Sequence, residues 1–210
     1  MRTRETFAPR AGRKGMKRNA RPSLFDATVG FDDPLEILLA CHRRIEKQLE
    51  TLKRLRAHLD SGPMDAEASR AAQSVLRYFP RSAAHHHDDE EKDVFPLLDQ
   101  RITDPGERTR FDALREGLER EHREIESHWA RLKKPLEGIA EGLPRVLPAS
   151  DVHAFVAAYA RHILAEESAL QEFFDRWLNE DDRRELGRSM SARRSEPPPP
   201  NPQTDATRRL

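Results

Sequence analysis

At 210 residues the chain is long enough for one domain of ordinary size with tails, and too short for two large ones. Charged residues make up 35%, hydrophobic ones 36% and aromatic ones 6%, a lean balance that suits amphipathic helices better than a β-sandwich. No apolar run reaches the length of a membrane span, and the single cysteine, Cys41, excludes an internal disulfide framework.

The net charge of zero hides an asymmetry. Residues 1–22 carry eight Lys or Arg against one acid, Glu5. With Pro9, Gly12, Gly15 and Pro22 and no hydrophobic period, they read as a disordered basic arm. Such an arm can touch nucleic acid or membrane phosphates; a solvated tail, or one folding back on the acidic body, is the preferred reading. No apolar stretch follows these charges, so a secretory signal is not expected and a cytoplasmic protein is.

Residues 23–194 read as the folded domain. The first helix follows "DDP", where Asp32 or Asp33 can cap and Pro34 fits the first turn. Its stripe is Leu35, Leu38, His42, Ile45, Leu49, Leu52 and Leu59. A second helix runs from about Asp65 to about Arg101. Its stripe is Leu76, Phe79, Ala83, His87, Glu91, Val94 or Phe95, and Leu98, with Pro80 predicted to kink it and Pro96 to bend or shorten its end. "TDPGE" opens the third, with Phe111, Leu114, Leu118, His122, Ile125, Trp129, Leu132 and Leu136 in the seam. A loop around Gly142 to Pro148 leads to the fourth, with Val152, Phe155, Tyr159, His162, Glu166, Ala169 and Phe173. Leu186 and Met190 mark a short fifth helix, and residues 195–210 form a Pro-rich disordered tail. The predicted fold is all-α, an up-down-up-down four-helix bundle with a short C-terminal helix. A weak repeat relates "CHRRIEKQLETL" to "EHREIESHWARL", and the His/Glu pattern of helix two to that of helix four.

Each seam is interrupted by a histidine with a glutamate one turn later: His42/Glu46, His87/Glu91, His122/Glu126 and His162/Glu166. With 21 glutamates in 210 residues, chance supplies about one such pair among nine histidines, and the chain has five, counting His86/Glu90. Four imidazoles and several carboxylates in one core need neutralising. The seams offer almost no Lys or Arg, so a metal centre fits better than salt bridges. Imidazole with carboxylate and no thiolate suits iron, manganese or zinc, and the number of donors is enough for two ions. The Glu-x-x-His spacing of ferritin-like bundles occurs only at Glu119/His122, so that alternative fails. His58, His128 and His153 read as surface or packing residues. Cys41, Tyr78, Tyr159 and Trp129 read as packing, with a hydroxyl hydrogen bond at the site as the sharper alternative for the tyrosines.

The order His … His-x-x-x-Glu … His … His-x-x-x-Glu, carried by "HHHDDEEKDVFPLL", "REHREIESHW" and "RHILAEES", resembles the bacterial hemerythrin-like, or HHE cation-binding, proteins over about residues 32–193. The resemblance implies a non-haem di-iron centre, two Fe ions bridged by carboxylate and oxo groups with Mn or Zn as alternatives. It implies binding of O2, or of NO or peroxide. Carried across, the metal ligands are His42, His87, Glu91, His122, Glu126, His162 and Glu166, with His86/Glu90 as the register alternative and Glu167 as the rival to Glu166. The chain departs from the oxygen carriers at Glu126, where they have a second histidine. Iron held by more carboxylates favours Fe(III), so redox or iron-handling chemistry stands beside oxygen binding as the alternative.

Overall fold

The structure is a computed structural model and describes residues 33–195; the basic arm, and the tail beyond Ser195, lie outside the described residues. Those residues are helical, with no strand among them. Helix α1 spans Pro34–Ser61 and is opened by Asp33, whose carboxylate accepts from Leu35 N–H at 3.0 Å while Pro34 occupies the first turn. The second rod is continuous but not uniform. It consists of α2 (Ala66–Tyr78), a π-helical turn at Phe79–Ala83, α3 (Ala84–Asp89), a second π-helical turn at Glu90–Val94, and α4 (Phe95–Arg101). Asp65 caps its start by accepting from Glu67 and Ala68 N–H.

The two π turns coincide with the two prolines of this rod. Pro80 lies inside the first, and Pro96 follows immediately after the second. Proline has no N–H and its ring crowds the carbonyl of the preceding turn; a wider turn absorbs both without breaking the rod. The kink expected at Pro80 is therefore a local widening. Its consequence is a change of register. Phe95 N–H bonds to Glu90 C=O, five residues back, where a uniform α-helix would use Glu91.

Helix α5 (Pro105–Ala140) is capped by Asp104, which accepts from Glu107 N–H, and it ends before Gly142, whose φ of +79° is a conformation that glycine tolerates best. Helix α6 spans Ala149–Trp177 and α7 spans Glu180–Ser195. The α1, second, α5 and α6 rods pack in a ring, α1 against α2 and α6, and α5 against α2 and α6. None of the helices is long and apolar enough to cross a membrane.

The core has two apolar layers. One holds Leu49, Leu52, Val75, Phe79, Leu132, Phe155 and Tyr159 among others. The other holds Leu38, Phe95, Leu98, Phe111, Phe173 and Phe174, and here Leu186 and Met190 of α7 are buried, as the short fifth helix requires. Phe155 packs edge-on to Phe79 and Tyr159, with ring centroids 4.9 and 5.1 Å away. His42, His86, His87, Glu90, His122, His162 and Glu166 are buried too, and none of them belongs to either apolar layer.

Candidate metal centre

Seven buried side chains from four rods form two groups. In one, His87, His122 and His162 each bring a ligand atom to within 4.8 Å of the others; in the second, His42, His86, Glu90 and Glu166 do the same. The two groups touch. Glu90 Oε1 lies 3.1 Å from His86 Nε2 and its Oε2 lies 3.0 Å from His122 Nε2. Glu166 Oε2 lies 2.8 Å from His42 Nε2 and 3.6 Å from both His86 Nε2 and His162 Nε2. Each carboxylate thus faces imidazoles of both groups.

The second rod supplies three of these residues through its changed register. A turn of five residues ahead of Phe95 brings Glu90 to the core, and His86 one α-turn earlier with it. Glu90 and His86 are completely buried. Glu91 sits at the rim, where its carboxylate accepts from His122 Nδ1 at 2.5 Å. Of the seven residues expected from the sequence, the structure brings together His42, His87, His122, His162 and Glu166. Glu91 meets the outer face of His122, and Glu126 is exposed beside a small cavity. The register alternative of the sequence, His86/Glu90, is inside.

Three of the imidazoles are held from behind. His42 Nδ1 donates to Glu167 at 2.8 Å, His122 Nδ1 to Glu91, and His162 Nδ1 to Glu121 at 3.3 Å. A carboxylate on Nδ1 fixes the ring's orientation and tautomer and leaves the Nε2 lone pair facing inward, the arrangement that metal-bound histidines adopt. Nothing in the sequence pattern singles out Glu121, whereas Glu167 was visible as the neighbour of Glu166.

Most of the inward atoms lack hydrogen-bond partners, His42 Nε2 with Glu166 Oε2 at 2.8 Å being an exception. Nε2 of His87, His122 and His162 and both oxygens of Glu90 are fully buried without a hydrogen bond, since the close His122–Glu90 and His86–Glu90 approaches lack the alignment a hydrogen bond needs. His42 Nε2 and His86 Nε2 face each other at 3.1 Å. Several orphaned polar atoms in one core cost far more than a fold tolerates for nothing. All of them are Lewis bases of the type that binds cations, so the donor set fits a metal. Electrostatics differ from one imidazole to the next, and His122 is raised because Glu90 and Glu91 outweigh its burial. Burial, reinforced by the neighbouring imidazoles against the pull of Glu166, pushes His162 down to about 3; burial and the imidazole cluster also hold His87 well below the usual range. Burial opposes charge on His42 and His86 as well, but the carboxylates of Glu166 and Glu90 outweigh it and raise both.

Residues 33–174 match the hemerythrin HHE cation binding domain. The chain belongs to this hemerythrin family. A further similarity runs to an uncharacterized protein of Haemophilus influenzae, 32% identical over 164 residues, which cover 78% of this chain and 91% of the relative. As a hemerythrin-family HHE domain, the chain is a cation-binding protein whose buried His/Glu groups are able to hold metal.

The small cavity beside Glu126 completes the site. It measures about 110 Å³ and is lined by Phe79, Ile125, Trp129, Phe155 and Tyr159, with His87 at its inner end. Its walls are nearly all apolar. Tyr159, which the sequence offered as packing or as a hydroxyl donor, packs here with its ring 6.2 Å from that of His87.

Proposed function

We propose that this hemerythrin-family chain is a non-haem di-iron protein of the cytoplasm that binds O2, or a comparable small ligand such as NO or peroxide, for sensing, storage or delivery. The observation that carries the reading is the convergence of unpartnered buried nitrogen and oxygen atoms on two touching groups of donors. In this reading His42, His86, Glu90 and Glu166 hold one ion, His87, His122 and His162 hold the other, and Glu90 and Glu166 serve both. Glu91, Glu167 and Glu121 orient the rings from outside. Bound iron would supply the redox chemistry and the open coordination position. The protein supplies the fixed donors and, through the cavity at His87, a largely apolar approach. The three-imidazole group, with fewer donors of its own, is the side on which a position stays open.

The bundle order belongs to the same proposal. Rods that pack on one another are joined by short connections, 62–65, 102–104 and 141–148, which suits an up-down-up-down arrangement. Glu126 in the cavity lining favours a second reading, iron oxidation or peroxide turnover, because a carboxylate there can accept a proton from a ligand bound beside His87.

The test is metal per chain after anaerobic Fe(II) loading, followed by optical spectra in air and after O2 removal. Two irons and a visible absorption that leaves with O2 are expected. Two irons that pass irreversibly to a ferric spectrum would move the reading to redox chemistry, and one ion or none would overturn the di-iron assignment. His87→Ala and His162→Ala should lower iron content, whereas His128→Ala, whose ring meets Glu124 at the surface, should not.

A further inference from the structure

A second site lies on the other side of Cys41. A cavity of about 490 Å³ opens between α1, the second rod and the end of α7, and Arg44, Arg77, Arg81 and Arg194 line it together with Tyr78 and Cys41. Among the described residues no carboxylate is in its lining. Many arginines elsewhere are paired with acids, such as Arg108 and Arg115 with Asp99, Arg161 with Glu121 and Glu124, and Arg110 with Glu107 and Glu172, and the remaining unpaired ones among the described residues are not gathered around a cavity as these are. Arg194 donates to Asp89 at 2.5 Å and to Cys41 Sγ at 3.3 Å. Arg44, Arg77 and Arg81 have no acidic partner among the described residues.

Arg77 and Arg81 stand one turn apart, a spacing at which like charges repel. Four guanidinium groups around one concavity raise the local potential and are stable together when an anion shares them. Guanidinium forks match the oxygens of phosphate, and the hydroxyls of Ser74, Ser82 and Tyr78 add donors to the same wall. The volume is that of a small-molecule pocket and exceeds what a bare anion fills.

We propose that this cavity is a binding site for a small phosphate monoester, with Arg44, Arg77 and Arg81 on the phosphate and the remaining space taken by the organic group. Cys41 in its lining is the chain neighbour of His42, so the cavity adjoins the candidate metal centre through α1. The site does not depend on the iron reading.

Isothermal titration of the metal-loaded full chain with inorganic phosphate and with phenyl phosphate tests it. Saturable one-to-one binding is expected, tighter for phenyl phosphate. Arg77→Ala and Arg81→Ala should each weaken it about tenfold with metal content and helicity unchanged. Arg54→Ala, a change to an arginine on α1 that is exposed like Arg44, Arg77 and Arg81 but lies outside the cavity and pairs with Glu50, should leave it as it is. Absence of saturable binding overturns the proposal. So does binding that survives both substitutions, since the phosphate then sits on the metal, or binding that Arg54→Ala weakens equally, since it then reflects diffuse surface charge.

Discussion

The two donor groups sit side by side in one core and are chemically unlike. His87, His122 and His162 form an all-imidazole group in which burial holds His87 and His162 low while Glu90 and Glu91 draw His122 towards the charged form, whereas His42 and His86 face Glu90 and Glu166 and are both drawn towards the charged form. Neutral imidazoles are ready lone-pair donors. The second group adds the carboxylates of Glu90 and Glu166 to its imidazoles, oxygen donors that the first group lacks. The apolar cavity reaches only the first group, at His87, so the two sides differ in access as well as in charge. In the proposed di-iron reading, such unlike groups linked by Glu90 and Glu166 would hold two ions in different surroundings.

The largest expected effect separates shared donors from unshared ones. Glu90→Ala removes the carboxylate that faces both groups and should cost most of both ions, while His87→Ala should cost about half the metal, read as metal per chain. Equal losses would erase the distinction between the groups. Phe155→Ala probes the cavity side alone. Phe155 is fully buried against Phe79 and Tyr159, and its truncation should destabilise the fold by about 3–5 kcal/mol in urea unfolding while the metal content of folded protein holds.

A smaller effect distinguishes the outer carboxylates. Glu91→Gln should weaken the ion held by His122, and Glu167→Gln the ion held by His42, each by about 10- to 100-fold in affinity. Chelator competition reads this directly, and loss of both ions from either variant would move that glutamate into the inner set. The smallest effect is expected at Glu126, exposed and outside both groups. Glu126→Gln should leave two metals per chain and change only the rate at which air oxidises the loaded protein, followed optically.

Much of this is legible in the sequence. Asp33, Asp65 and Asp104 announce three helix starts with their own side chains, and all three cap in the structure. Histidines interrupting otherwise apolar seams mark a shared polar layer because the cost of burying them demands a common partner. The second rod is where periodicity stops being a guide. A stripe drawn at 3.6 residues per turn aims His87 and Glu91 inward together, whereas a π turn ahead of Phe95 shifts the preceding carboxylate by one residue, to Glu90. Pro80 and Pro96 were the available warning, since a proline inside a helix must be accommodated by some departure from the regular turn. The docking of α7 through Arg193 and Arg194 onto the completely buried Asp89 had no comparable signal. Those partners lie more than a hundred residues apart, and no local pattern couples them.

The sequence by itself determined the helical class, the helix starts, the polar layer and four of its histidines, because caps, seams and buried imidazoles are constraints written into neighbouring residues. The tertiary structure decided which carboxylates turn inward, which stand behind the rings, and where Arg44, Arg77 and Arg81 gather without an acidic partner among the described residues. Those outcomes depend on the register and rotation of whole rods against each other, and a shift of one residue in a single turn is enough to exchange an inner carboxylate for an outer one.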